Sequence, residues 1–164
     1  MNPSNAQVPP HGQPPGGAGF SIIELMIAVT IIGALIAIAV PWYEGYREQA
    51  RISTAVGDLR ILDNQLKSYR ISNEQLPDLL TQVPQGDRKD PWGNTYRYLK
   101  IEGDETATKG KVRADKNMNP INTDFDLYSN GKDGATSRQL TSQKALDDVV
   151  RANDGNYYGL GSKY

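Results

Sequence analysis

Apolar residues run almost unbroken from Ile22 to Val40, interrupted only by Glu24, Thr30 and Gly33. A run of this length matches the ~20 residues a helix needs to cross a bilayer core. Beyond it the pattern changes. Tyr46, Ile52, Ala55 or Val56, Leu59, Leu62, Leu66 and Tyr69 recur at helical spacing, predicting one apolar stripe on an amphipathic helix that runs to about Ile71. Arg47, Glu48, Arg51, Asp58, Arg60 and Lys67 fall on the other face, with Glu44, Arg47, Glu48 and Arg51 placed to pair along the helix or between subunits. A helix from Ser21 to Ile71 would be on the order of 75 Å long at 1.5 Å per residue. So small a chain has no core that can bury it, and its first half must lie in lipid or against other subunits. Pro41 removes a helix hydrogen bond and Gly33 weakens the same stretch, so the pattern predicts a kink or loosening between about residues 33 and 41. The competing expectation is a helix that ends at the membrane surface with Trp42 and Tyr43 as anchors.

Ser72-Asn73 closes the helix, and Leu76-Pro77-Asp78 opens a turn-rich connection through Pro84, Gln85-Gly86 and Asp90-Pro91. Thr95 to Ile101 alternates apolar or aromatic with polar residues, the signature of a half-buried strand. A loop around Gly103-Asp104-Glu105 and a short strand near Lys111-Val112-Arg113 follow, then a firmer strand at Phe125 to Ser129. Leu146, Val149 and Val150 fit a helical turn or extended chain, and Tyr157 to Leu160 should return to the sheet. The expected fold class is α+β: one long N-terminal helix, half membrane and half amphipathic, packed on a small antiparallel sheet.

Composition narrows the chemistry. In 164 residues, 18 Lys and Arg face 19 Asp and Glu, so net charge makes no case for nucleic acid. There is no cysteine, hence no disulfide staple. The sole histidine is His11, ahead of the apolar run; downstream of it Ser-His, Cys-His and His-bearing zinc chemistry is excluded.

Residues 1–18 are rich in Pro, Gly, Asn and Gln and read as an extended leader. A signal peptide has a shorter apolar region followed by its cleavage site, whereas here the candidate glycine precedes a full-length run. Glu24 inside that run is costly to bury in lipid and needs a partner. Gly19-Phe20-Ser21-Ile22-Ile23-Glu24-Leu25-Met26 resembles the processing site shared by type IV pilins and the pseudopilins of type II secretion. The resemblance implies that a prepilin peptidase cuts between Gly19 and Phe20, that Phe20 is methylated, and that Glu24 partners the Phe20 amine during assembly. The leader departs from that family in lacking Lys and Arg, so orientation rests on the motif and not on the positive-inside rule.

Asp90-Pro91-Trp92-Gly93-Asn94 is a turn feeding a strand, and it resembles a signature of the major pseudopilins. Asp124, Asp126, Asn130, Asp133, Asp147, Asp148 and Asp154 form a second group. Calcium takes six to eight oxygens from carboxylates and carbonyls on a flexible loop. An EF-hand is excluded, because with Asp126 at position one Tyr128 and Ser137 occupy ligand positions. The segment instead resembles the calcium loop of those pseudopilins. On that resemblance one Ca2+ is held by Asp133, Asp147 and Asp148 side chains with Asn130 and Ala135 carbonyls, and Asp154-Gly155-Asn156-Tyr157 is the closing turn. The loop Ala135 to Leu146 is longer than usual and brings Arg138 and Lys144 toward the acids. The plain alternative is a set of turn-capping aspartates.

The resemblance implies four segments: a cleaved leader (1–19), a transmembrane and filament-core helix (20–43), its amphipathic continuation (44–72), and a β-rich domain with the calcium loop (73–164). It implies a non-enzymatic pseudopilus subunit in the inner membrane with a periplasmic domain. Its partners would be copies of itself, prepilin peptidase, minor pseudopilins and the inner-membrane assembly platform. A type IV pilin forming surface fibres is the alternative. A membrane-tethered hydrolase using two acids and a calcium-dependent binding module are the readings from other classes, and no acid lies in a recognisable catalytic setting.

Overall fold

A computed structural model describes residues 19–103 and 110–164. The expected leader over residues 1–18 and most of the loop after Gly103 lie outside the described residues. Helix α1 spans Ile22–Asn73, and four strands follow: β1 (Arg97–Lys100), β2 (Phe125–Ser129), β3 (Val149–Ala152) and β4 (Tyr157–Leu160). The chain divides into two compact units, Met1–Tyr43 and Glu44–Tyr164.

In the first unit the helix is long and apolar enough to cross a membrane. Phe20, Ile22, Ile23, Leu25, Met26 and the apolar residues after them are all exposed. Thr30 Oγ1 donates to Met26 O at 2.7 Å, so this hydroxyl is satisfied inside the apolar run. Pro41 lies within α1, which is helical on either side of it, so the expected loosening does not end the helix.

In the second unit α1 buries Ala55, Leu59, Leu62 and Leu66, the stripe expected from its spacing, and with them Asp63, which that stripe does not contain. Ile52, Val56 and Tyr69 pack at its margin. Tyr46 does not join: it is 70% exposed. At the other end Asn73 Nδ2 donates to Tyr69 O at 2.9 Å, and Glu74 takes a positive φ of 59°, which together terminate the helix.

The strands form an antiparallel meander in the order β1-β2-β3-β4. Tyr98 stands opposite Leu127, Tyr128 opposite Val150, and Arg151 opposite Tyr158. Strand alternation sorts the residues to two faces. Phe125, Leu127 and Val149 join the helix core, whereas Val150 and Ala152 pack with Ile121 and Leu140 in a second cluster. The strand expected near Lys111 to Arg113 does not form. The chain there makes one parallel bridge, Ala114 to Gln139, while Arg113 N–H and Val112 O are taken by the side chains of Asp126 and Arg138. Of the apolar group near the end, Val149 and Val150 enter β3 and Leu146 follows a short 3-10 turn.

Candidate functional site

At the start of α1, Ser21 and Glu24 close a reciprocal cap. Ser21 Oγ accepts Ile23 N–H at 3.2 Å, and Glu24 Oε2 accepts Ser21 N–H at 3.0 Å. The carboxylate therefore binds a helix-terminal amide of its own chain, at the positive end of the helix dipole. Gly19 and Phe20 precede this cap outside the helix. A side chain at Gly19 would meet open space, and Phe20 is 88% exposed. The peptide bond between them is accessible and its flanking helix is fixed.

The Asp90 turn is built as its sequence suggests. Asp90 Oδ1 accepts the amides of Trp92 and Asn94, and Ser129 Oγ donates to Asp90 Oδ2 at 2.5 Å. Trp92 Nε1 donates to Glu48 Oε1 at 3.1 Å, tying the turn to α1. Asp58 joins the same layer, paired with Arg88 and accepting the Tyr96 hydroxyl at 2.9 Å. Burial, then the Asp58 hydrogen bond, pushes the Tyr96 hydroxyl upward.

The acidic loop brings four of the five expected calcium residues together through local bonds. Asp133 N–H donates to Asp147 Oδ2 at 3.0 Å, Ala135 N–H donates to Asp133 Oδ1 at 2.7 Å, and Asn130 Nδ2 donates to Gly134 O at 3.1 Å. Gly131 is required here: its φ is 66°, and a Cβ would stand 2.3 Å from Asp147 O. Asp148, the fifth, turns inward on the sheet face away from α1. Its Oδ2 accepts Arg113 Nη2 at 2.5 Å and Thr136 Oγ1 at 2.7 Å. Burial pushes the Asp148 carboxyl up, against the pull of Arg113.

Two buried oxygens of this set, Asn130 Oδ1 and Asp148 Oδ1, have no hydrogen-bond partner. A hard cation takes oxygens of this kind. Among the described residues, however, no three His, Cys, Asp or Glu side chains gather closely enough to hold a metal by themselves. Carbonyl and amide oxygens would have to complete any such shell. Arg138, one of the two cations expected near the acids, instead donates to Val112 O at 2.9 Å and Asn119 Oδ1 at 2.6 Å.

Two arginines missed in the sequence hold the domain. Arg151 Nε donates to Asp63 Oδ1 at 2.6 Å and its Nη2 to Asp124 Oδ2 at 2.6 Å, with Nη1 reaching Asp124 Oδ1 and Phe125 O. Its guanidinium lies 4.0 Å from the Phe125 ring centre. Arg113 does similar work on the opposite face, 4.1 Å from the Tyr128 ring centre, and its backbone N–H donates to Asp126 Oδ2 at 2.7 Å. Burial raises the Asp126 carboxyl in spite of that bond and one from Asn122. Arg151 had a signal, a cation alternating with Val149 in an apolar run; Arg113 had none.

The chain is similar to the type II secretion system core protein G of Pseudomonas aeruginosa, at 31% identity over 71% of this chain and 84% of that protein. It belongs to the core protein G family. The Vibrio cholerae member is 35% identical over 49% of this chain and 69% of its own length. A type IV major pilin of Neisseria gonorrhoeae is 28% identical over 84% of this chain and 86% of the pilin. No family model matches the chain, and no solved structure matches it significantly. Core protein G relatives recur among the matches, from Aeromonas hydrophila to Klebsiella pneumoniae.

Proposed function

We propose that this chain is a structural subunit of a type II secretion pseudopilus, with no enzymatic role. The similarity to core protein G over most of both chains carries the reading. The helix supports it physically: its first half exposes apolar side chains over a length that fits a bilayer, and the same surface suits helix packing in a filament.

In this reading the subunit waits in the inner membrane with residues 44–164 in the periplasm. Prepilin peptidase cuts between Gly19 and Phe20, a bond that stands exposed ahead of the helix cap, and Phe20 is then methylated. Cleavage turns the Phe20 amide into an amine, a stronger partner for Glu24 than the Ser21 amide it accepts in the uncut chain. The exchange registers each subunit on its neighbour as the filament grows from the assembly platform alongside minor pseudopilins. The filament's lengthening pushes exported proteins outward.

The loop of Asn130, Asp133, Ala135, Asp147 and Asp148 holds one calcium ion in the same reading. The unpartnered Asn130 Oδ1 and Asp148 Oδ1 support it, because a bound cation would relieve two buried acceptors. The ion's contribution is electrostatic, adding to the hold on the loop in the folded state. Titration calorimetry with calcium tests this, and Asp133→Ala should weaken the binding.

Two measurements decide the assembly role. Mass spectrometry of the mature chain should give a mass beginning at methylated Phe20; a chain still beginning at Met1 removes it. Glu24→Ala should be cleaved normally but fail to enter filaments, and normal incorporation refutes the registry role. Similarity to a gonococcal major pilin favours a second reading, a surface pilus. Fibres seen outside the cell at native expression would support it.

A further inference from the structure

Asp148 has one carboxylate, and the fold has already given half of it away. The residue is fully buried, and Arg113, only 3% exposed, bonds its Oδ2 at 2.5 Å. Thr136 holds both partners, donating to Asp148 Oδ2 and accepting Arg113 Nη1 at 2.8 Å. Arg113 is itself fixed by β2, through Asp126 and Tyr128, as well as by the loop. Its amide is bonded to Asp126, its guanidinium lies over Tyr128, and Ala114 beside it bridges to Gln139. The cation is thus built into the sheet face.

We propose that Arg113 is an internal counter-cation for Asp148, which holds the acidic loop without metal and competes with calcium for that carboxylate. The proposal rests on the calcium reading above. The reasoning is electrostatic. A buried carboxylate needs a compensating charge, and Arg113 supplies it. A second cation placed on the free Asp148 Oδ1 meets the guanidinium's like charge across a single carboxylate, in surroundings that screen poorly. Arg113 therefore makes the folded loop independent of calcium and lowers its calcium affinity.

The test uses the full-length chain in detergent micelles, wild type and Arg113→Gln. Thermal melts are taken with the calcium chelator EGTA and with excess calcium, and calcium dissociation constants by titration calorimetry. Wild type should keep its cooperative melt in EGTA and gain little from calcium. R113Q should melt lower in EGTA, recover with calcium, and bind calcium at least fivefold more tightly, the low end of coupling between two ligands. Loss of the wild-type melt in EGTA overturns the proposal, since the metal would then be the fastening. Equal affinity in the two chains overturns it while leaving the calcium reading intact; binding by neither overturns both. If R113Q fails to fold in either buffer, the wild-type melt in EGTA decides.

Discussion

Arg151 of β3 reaches across the core to Asp63 of α1, its Nε 2.6 Å from the carboxylate and both side chains almost wholly buried. Asp63 also accepts Lys67 Nζ at 2.8 Å, and Arg151 forks onto Asp124. One guanidinium thereby joins the helix, the sheet and the loop before β2. Arg151→Ala would leave a cavity faced by Asp124 without its cation and by Asp63 with only Lys67. Losing one partner of a buried ion pair costs about 3–5 kcal/mol. Urea unfolding of the variant should show a loss of that size. Arg151→Lys should recover only part, because an ammonium cannot fork onto two carboxylates.

The Trp92–Glu48 bond links the Asp90 turn to α1 through a single hydrogen. Trp92→Phe keeps most of the ring and removes the donor. The expected cost is about 0.5–1.5 kcal/mol for the hydrogen bond, plus a share for lost ring area. Glu48→Gln keeps an acceptor and should cost less. In the double variant the two losses should fall short of additivity, read from the denaturation midpoints.

The long helix and the strands at β1 and β2 were legible because their signals are periodic. The stripe through Leu59, Leu62 and Leu66 and the alternation in Phe125 to Ser129 appear in the fold as written. Leu146, Val149 and Val150 fit a helical turn or extended chain by pattern alone, and β3 takes shape with Arg151 inside it because the distant Asp63 and Asp124 compensate its charge. Tyr46 matched the stripe by spacing yet stays exposed, since periodicity does not say where the partner surface stops. In the acidic loop, Asp133 meets the Asp147 carboxylate through its backbone amide, whereas Asp148 is bound to an arginine 35 positions away. Nothing local to Asp148 announces that pairing; it depends on the chain between β1 and β2 crossing the far face of the sheet. A serine three residues before an acid is the pattern of the Ser21–Glu24 cap, while the cost of Glu24 in lipid points to the Phe20 amine of the same chain or of a neighbouring subunit.

Gly131→Ala should be damaging out of proportion to its size. The backbone there is left-handed, at φ 66°, and the new methyl would stand 2.3 Å from Asp147 O and 2.7 Å from Asp147 Oδ2. Left-handed strain alone costs on the order of 1–3 kcal/mol, and the clash is with backbone that cannot rotate away. The variant should melt several degrees lower, and on the proposed calcium site its affinity for the ion should also fall, because the displaced residue is Asp147. Gly57→Ala, in open space on the helix, is the control and should be neutral or mildly stabilising.

Asp154 gives the acid limb of stability a readable component. Burial works to raise its carboxyl, but donation from Thr123 N–H at 2.7 Å and Thr123 Oγ1 at 2.8 Å holds it below the ordinary value. A depressed folded pKa means the unfolded chain takes up the proton first. The contribution of Asp154 is therefore complete above the unfolded value of 3.8 and is lost as pH falls through the lower folded value. Asp126 and Asp148 act in the opposite sense. Burial raises both, so their ionisation costs stability at neutral pH and that cost disappears as the pH drops below 3.8. The total acid limb mixes the two signs, and a single melting curve cannot separate them. Asp154→Asn retains an acceptor for Thr123 but does not titrate. The difference in unfolding free energy between wild type and this variant should be flat above pH 5 and should shrink steadily below pH ~4. A difference that stays constant down to pH ~2 would mean that the Thr123 bonds do not distinguish the ionised from the protonated carboxyl.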